Sequence, residues 1–217
     1  MALSFFTYGS TSHDFVHENL RINRKLNMFL LSFLELLCFR SGHAYKVSHL
    51  HHHNRYPNDD DVEGAASKMT LLRALWEGVI FQFKIYFWAV KRRQHHTYST
   101  VIVLEGIIIL AVALFCIYSS SFTNVYIVYM ILMIAGSWII PLITSYLVHT
   151  PEGNDELKQT RLFRGAFFSI IAVNHLFHLE HHLYPMVPHK NWPKLARRLD
   201  LYFKEKGIVP IELNLKN

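Results

Sequence analysis

Histidine is the residue type that stands out in this chain, with 15 copies against 16 aspartates and glutamates together. Most of these histidines fall into clusters with a regular spacing. One cluster of the form HxxxH lies near the start of the chain, two clusters of the form HxxHH follow it, and an isolated histidine lies between those two. In chain order, the members are His13 and His17; His49, His52 and His53; His149; and His178, His181 and His182.

The spacing within the clusters is that of side chains on one face of a helix. Residues i and i+3 or i+4 project from the same side, so His13 and His17 can reach one metal ion or two adjacent ones. In HxxHH, the two adjacent histidines point about 100° apart, so that one cluster can supply two neighbouring ions. Imidazole is a good ligand for iron, zinc, copper and nickel. A lone HxxxH would as readily be a coincidence, but the three clusters and the isolated His149 together predict a metal site.

Two long apolar segments are among the elements that must position these histidines. The stretch from Gln94 to Leu157 lacks Lys and Arg, although the chain has 22 of them. Within it, residues 101–118 contain one charged residue, Glu105, and residues 125–148 contain none. At about 1.5 Å per residue, such runs can cross a hydrocarbon core of about 30 Å. We interpret them as a transmembrane hairpin; the alternative is a buried helix pair in a soluble protein, which would normally show a polar face.

The distribution of positive charge predicts the orientation of this hairpin. Its turn, residues 119–124, carries no Lys or Arg, whereas both flanks do, so both ends are predicted to be cytoplasmic. Two shorter stretches, Leu26–Phe39 and Ala74–Val90, include charged residues and are predicted to be amphipathic helices in the membrane interface. The segment between His17 and His49 is too short for two crossings. All the histidine clusters are therefore predicted to lie at the cytoplasmic face.

The predicted fold class is an all-α integral membrane protein with a transmembrane hairpin, interfacial amphipathic helices and a histidine-rich cytoplasmic cap. The cap is formed by residues 1–100 and 149–217, and we expect one domain, residues 1–217. With 51% hydrophobic residues, intrinsic disorder is excluded. A disulfide scaffold is excluded as well, because the chain has two cysteines.

The order HDFVH, HLHHH, a lone histidine after a long apolar segment, and HLEHHLYPMVP resembles the membrane fatty acid desaturase superfamily. That superfamily includes acyl-lipid and acyl-CoA desaturases, lipid hydroxylases, and carotenoid ketolases and hydroxylases. The resemblance extends from about Ser12 to Leu199 and implies two non-haem iron ions in the cap, O₂ as co-substrate and an external electron donor. The iron ligands that it implies are His13, His17, His49, His52, His53, His149, His178, His181 and His182.

The resemblance is incomplete at two places. Superfamily members usually have one or two spans before the first cluster, whereas twelve residues precede His13 here. We therefore expect either a minimal form or a chain that begins after those spans. Acyl-CoA desaturases also have an asparagine four residues before the lone histidine, where this chain has Ser145.

Several polar neighbours of the clusters are predicted to support the ligands. Asp14 and Glu180 lie inside clusters, and metal-bound imidazoles usually donate their second N–H to a carboxylate or carbonyl. The alternative for each is an ordinary solvated or ion-paired carboxylate. By the resemblance, His51 and His175 are hydrogen-bonding neighbours of the ligands, and Asn174 is a further polar candidate.

The remaining histidines and an acidic run are given no role at the metal site. His95, His96 and His189 are interpreted as interfacial residues, and His43 is left unassigned. The carboxylates of residues 58–61 are interpreted as part of a solvated loop rather than as the mouth of the site.

The function predicted from the resemblance is the O₂-dependent oxidation of lipid C–H bonds, above all the desaturation of a fatty acyl chain. The alternative is a carotenoid ketolase or hydroxylase, or a lipid hydroxylase, because the same ligands can serve each outcome. A membrane zinc hydrolase is less favoured, since such sites need about three protein ligands. A non-enzymatic metal-binding or transport protein is also less favoured, because it would place ionisable groups inside the spans, where Glu105 is the single one.

The expected partners follow from the same interpretation. We expect a lipid substrate in the bilayer and an electron donor of the ferredoxin or cytochrome b5 type. The net charge of +6 suits both anionic headgroups and an acidic donor. No nucleic-acid partner is expected, and the sequence leaves the oligomeric state open.

Overall fold

The residues that the structure describes are predominantly helical, as the sequence predicts. A computed structural model describes residues 2–92 and 98–213. Its α-helices are α1 (Ala2–Phe6), α2 (His13–Val16), α3 (Arg24–Leu37), α4 (Gly42–Arg55), α5 (Leu71–Lys91), α6 (Ser99–Ser119), α7 (Val125–Gly136), α8 (Ala166–Ile171), α9 (His178–Leu183) and α10 (Trp192–Glu205). Short 3₁₀ segments occur at Gly64–Lys68, Ser137–Ile139, His175–Phe177 and His189–Asn191, and π-helical turns at Thr7–Ser12 and Leu142–Tyr146. Two short strands, β1 (Phe163–Arg164) and β2 (Ile211–Glu212), pair in parallel.

Two of the described helical segments are long and apolar enough to cross a membrane, Ser99–Ser119 and Val125–Tyr146. They coincide closely with the predicted runs, residues 101–118 and 125–148. Only 17% of the most apolar part of the first segment is buried, and 39% of that of the second. The core helix of a soluble protein is mostly buried, and large apolar surfaces rarely face water. The exposed apolar surface therefore fits a hairpin in lipid and not the alternative of a soluble helix pair.

Helix α5 is as long as a span, but both of its ends are tied to one loop. Before the helix, the ammonium of Lys68 lies 2.6 Å from Asp59; after it, the guanidinium of Arg92 lies 2.9 Å from Asp60. A helix that crossed the membrane would carry its ends to opposite sides, so α5 does not cross; its middle packs against the second apolar segment, where a Cβ on Gly78 would meet the backbone of Trp138. Its outward face exposes large apolar side chains, as an interfacial helix does. These are Leu72, Trp76, Ile80, Phe83 and Phe87.

Helices α3 and α4 form a tight hairpin that positions the second histidine cluster. The side chain of Asn23 caps α3, and the hydroxyl of Ser41 caps α4 by accepting the backbone N–H of Ala44 at 3.0 Å. At the crossing, a Cβ on Gly42 would lie 2.9 Å from the backbone of Ser32. The close approach of the two helices therefore requires glycine at this position.

Two buried polar contacts join this hairpin to its neighbours. The guanidinium of Arg40 lies 2.7 Å from the carboxylate of Glu35, and it donates to the backbone oxygen of Ser4 at 3.0 Å. Glu105, the charged residue of the first apolar run, accepts the backbone N–H of His43 at 3.2 Å and lies 2.8 Å from Nδ1 of its ring. This places a carboxylate at the N-terminus of α4, where the helix has unsatisfied N–H groups and a positive dipole end. His43, unassigned from the sequence, therefore belongs to this contact.

Candidate metal centre

Helices α2, α4 and α9 and the end of the second span carry the clustered histidines. His13 is the first residue of α2, and His17 is its C-terminal cap. The first HxxHH cluster occupies the last turns of α4, and the second forms most of α9. His149 follows the second span and pairs through its backbone with Thr160. Residues from both ends of the sequence are thus brought to one place.

A first set of four histidines converges through their ring nitrogens. The set consists of His13, His17, His49 and His181, whose ligand atoms lie within 4.8 Å of one another. The Nε2 atoms of His13 and His181 are 3.1 Å apart, and those of His17 and His49 are 3.0 Å apart. All four side chains are buried. The set joins members of the first, second and third predicted clusters.

A second set of four lies beside the first and has the same form. It consists of His52, His149, His178 and His182, again with ligand atoms within 4.8 Å of one another. The Nε2 atom of His149 is 3.2 Å from that of His52 and 3.2 Å from that of His182. The Nε2 atoms of His178 and His182 are 3.1 Å apart. The lone histidine after the span therefore joins the second and third clusters.

His53 lies between the two sets. Its Nε2 atom is 3.1 Å from that of His49 and 2.9 Å from that of His181, both of the first set. The centroid of its ring is 4.4 Å from that of His182, in the second set. All nine histidines that the sequence and the resemblance select are therefore adjacent in one site.

Two buried carboxylates orient histidines of the second cluster. Nδ1 of His52 lies 2.7 Å from an oxygen of Asp61, and Nδ1 of His49 lies 2.8 Å from an oxygen of Glu63. The interpretation of residues 58–61 as a solvated loop holds for Asp59, whose side chain is 99% exposed, but it is wrong for Asp61, which is 3% exposed. Asp61 also accepts the backbone N–H groups of Glu63 and Gly64. These hydrogen bonds hold the loop turned inward at Asp61, whereas Asp59 stays in solvent.

The hydrogen bonds fix which nitrogen of these rings carries the proton. Nδ1 of His52 faces a carboxylate and Nδ1 of His149 faces the backbone oxygen of Ser145 at 3.2 Å, so each carries its proton on Nδ1. Their Nε2 atoms, 3.2 Å apart, then present lone pairs to each other. Two facing lone pairs repel unless a proton or a metal ion lies between them. The donor set therefore fits metal ions bound through Nε2.

Burial keeps most of these imidazoles neutral. Loss of solvation lowers the pKa of His13, His53 and His149 well below its usual value, and neighbouring imidazoles lower it further. Burial also lowers the pKa of His52, but the charge and hydrogen bond of Asp61 outweigh it, so this pKa is raised. The neutral form is the one that binds metal.

The five predicted supporting residues lie at different distances from the centre. His175 is buried with its ring centroid 5.9 Å from that of His13, whereas His51 packs on Trp88 at 4.8 Å and lies outside both sets. Asp14 accepts the backbone N–H of His189 at 2.9 Å. The other two are Asn174, whose left-handed backbone (φ 60°) precedes the 3₁₀ turn at His175–Phe177, and Glu180, which is ion-paired with Arg164 at 2.7 Å.

Of the other histidines considered from the sequence, His189 lies within the residues that the structure describes. His189 is partly buried, with Nε2 3.1 Å from the backbone oxygen of Val173. His95 and His96 lie outside the residues that the structure describes. Ser145 is buried, and its hydroxyl accepts the backbone N–H of Ser67 at 3.1 Å.

Two aromatic residues at the centre were not predicted from the sequence. Trp192, which is fully buried, lies with its ring centroid 4.8 Å from that of His181 and 5.2 Å from that of His13. Tyr56 lies 4.4 Å from His149 by the same measure, and burial raises its pKa to about 12. Both follow a histidine cluster closely in sequence, but an aromatic residue is more often packed in a core than at a site. Together they cover the two sets with rigid apolar surface.

The comparison with protein families identifies the chain. The model of the fatty acid desaturase family matches residues 1–213. The chain belongs to the fatty acid desaturase family. No curated protein and no solved structure gives a significant match. Membership of this desaturase family, together with the two apolar segments, makes the chain a membrane-associated lipid oxidoreductase whose histidines are able to hold metal.

Proposed function

We propose that this desaturase-family protein introduces a double bond into a fatty acyl chain with O₂, using two iron ions held by the nine histidines. The observation that carries the proposal is the division of these histidines into two sets of four, with His53 between them. A zinc hydrolase needs about three protein ligands and an open position, which leaves most of this ligand set unexplained. Nitrogen ligands alone, without a carboxylate, suit a transition metal.

The chain's own residues hold and orient the ligands. Asp61 and Glu63 fix the rings of His52 and His49 through Nδ1 and leave Nε2 free for metal. Trp192 and Tyr56 exclude water from the two sets, which protects a reactive site from side reactions. Bound iron would supply the activation of O₂ and the removal of hydrogen from an unactivated C–H bond.

An apolar cavity among the helices supports the proposal that the substrate is a long acyl chain. It has a volume of about 370 Å³ and lies between α5, α6, α7 and the start of α4. Its walls include Phe83, Leu110, Ala113 and Ile134, with Ser41 at the end nearest α4. His49 follows Ser41 by eight positions on the same helix, which is about 12 Å along its axis. In this proposal, the far end of the acyl chain occupies the cavity while the reacting carbons lie near the histidines.

The orientation in the membrane and the source of electrons are parts of the same proposal. Positive charges flank both ends of the apolar hairpin, which supports a cytoplasmic metal centre. The centre then meets cytoplasmic electron carriers, and we propose a ferredoxin or a cytochrome of the b5 type as donor.

The deciding experiment combines metal content with the product profile. The chain is expressed in a host that makes both acyl lipids and carotenoids, and purified membranes are analysed for metals, fatty acids and pigments. We expect about two irons per chain and a new acyl double bond with unchanged carotenoids. A hydroxylated acyl chain would show instead that the enzyme is a lipid hydroxylase. An oxidised carotenoid would show that it is a carotenoid ketolase or hydroxylase. One zinc per chain, without oxidised lipid, would overturn the proposal.

A further inference from the structure

Helix α10 has two chemically distinct faces. One face is apolar and packs onto the interior of the protein through residues spaced three to four apart, and its first residue, Trp192, lies against histidines of the metal centre. These residues are Trp192, Ala196, Leu199 and Phe203. Their packing fixes the helix against α9, which carries the third histidine cluster.

The other face of α10 is strongly basic and exposed. Residues 190–206 include six lysines and arginines but two acidic residues. One of these acids, Asp200, is held by Arg164 at 2.6 Å and so does not neutralise the cations beside it. The exposed cations on or next to this face are Lys190, Lys194, Arg197, Arg198, Lys204 and Lys206. Leu201, 67% exposed, lies among them as an apolar contact point.

Trp192 connects the two faces with the metal ligands. Its ring lies against His13 and His181, and its indole N–H donates to the backbone oxygen of Val187 at 3.0 Å. Only one residue separates it in sequence from the exposed Lys194. The rate of electron tunnelling falls steeply with distance. An electron from a carrier docked on this helix would have a short path to the histidines through the indole ring of Trp192.

We propose that the basic face of α10, here defined as Lys194, Arg197, Arg198, Leu201 and Lys204, docks an acidic one-electron carrier protein whose electrons reach the metal centre through Trp192. This inference rests on the proposed function. Complementary charge steers such partners into place, and complexes of electron carriers are typically small. The basic face of α10 suits a small, electrostatically steered complex, because its cations surround one exposed leucine, Leu201.

The stoichiometry requires repeated docking. Removal of two hydrogens from an acyl chain, with reduction of O₂ to two molecules of water, consumes two further electrons and two protons. A one-electron carrier must therefore bind, be oxidised and leave twice for each double bond. A weak, electrostatically steered contact suits this cycle better than a permanent interface.

The docking surface is tested with the full-length enzyme in vesicles of neutral lipid. Turnover is measured against the concentration of reduced ferredoxin and, separately, of reduced soluble cytochrome b5. In the variant Arg197→Glu/Arg198→Glu, we expect the KM for the supporting donor to rise about tenfold or more, with kcat at saturating donor within about twofold. The dependence of KM on salt should weaken in parallel. The matched control is Lys25→Glu/Lys158→Glu, which reverses two exposed charges outside α10 and should leave the donor KM unchanged.

The role of Trp192 is tested separately from docking. We expect Trp192→Leu to lower kcat at saturating donor at an unchanged donor KM, and Trp192→Phe to retain most of it. Mixing each metal-loaded form with saturating reduced donor in the absence of O₂ measures how fast the metal centre is reduced, and this rate should fall in Trp192→Leu while the iron content stays the same, a result that a folding defect would not produce. An unchanged rate of reduction, or a loss of iron that accounts for the lower kcat, would assign Trp192 to packing alone and overturn its role in electron transfer.

Other outcomes contradict the docking surface itself. An unchanged KM and salt dependence in Arg197→Glu/Arg198→Glu would overturn it, as would a loss of binding to phosphatidylserine vesicles with donor kinetics intact, which assigns the face to the membrane. The failure of the proposed function looks different. In that case the wild-type enzyme itself contains no iron and forms no oxidised lipid.

Discussion

Nδ1 of His52 lies 2.7 Å from an oxygen of Asp61, and both side chains are buried beside the second set of histidines. The same carboxylate accepts two backbone N–H groups through its other oxygen. Asp61 thus shapes the loop after α4 and orients a metal ligand at the same time. Such partners of metal-bound histidines usually matter nearly as much as the ligands.

We expect Asp61→Asn to weaken metal binding by about 10- to 100-fold. The amide keeps the size of the side chain and an oxygen for the loop, but it removes the charge that holds the proton on Nδ1 of His52. Metal retained after dialysis against a series of chelators measures the effect. Asp59→Asn is the control, because this neighbouring carboxylate is exposed and should show wild-type retention. Equal retention in both variants would contradict the role of Asp61.

The contrast between Asp59 and Asp61 shows which features could be predicted from the sequence and which could not. Histidine spacing and the apolar runs report local periodicity, and the clusters and the two spans were predictable for that reason. An acidic run after a helix has no such period, since its burial depends on a loop that turns inward at one residue. Trp192 was missed for a related reason, because its contact with His13 joins residues far apart in the chain.

His181→Ala should abolish lipid oxidation while the protein still inserts into membranes. Nε2 of His181 lies 3.1 Å from that of His13 and 2.9 Å from that of His53, so its loss opens the first set on two sides. Product analysis and membrane fractionation measure the two effects. His51→Ala is the matched control, because this histidine packs on Trp88 outside both sets. Activity in His181→Ala, or its loss in His51→Ala, would refute the placement of the metal.

Ala113→Leu should shorten the acyl chains that the enzyme accepts. Ala113 lines the apolar cavity, and a larger side chain fills space that the end of the substrate would occupy. The fatty acid profile of the expressing cells measures the change. Ala111→Leu makes the same substitution two residues earlier, on the exposed side of α6, and should leave the profile unchanged. An identical profile in both variants would remove the cavity from the substrate path.

The metal-free protein should lose stability in acid. Burial lowers the pKa of His178, His181 and His182 well below the usual value of about 6.5, and the same holds for His13, His17, His53 and His149. Below pH 6.5 the unfolded chain therefore binds more protons than the folded one, so the free energy of unfolding falls as the pH falls. Each such histidine should contribute about 1 kcal/mol between pH 6.5 and 5.5.

Thermal unfolding of the detergent-solubilised, metal-free chain between pH 7.5 and 5.5 measures this dependence. The variant His178→Gln/His181→Gln/His182→Gln removes three of the responsible groups and should show a shallower fall in the melting temperature over the same range. A melting temperature that does not change with pH in the parent chain would mean that the imidazoles are not held neutral by burial. An equally steep fall in the variant would trace the acid sensitivity to groups outside the third cluster.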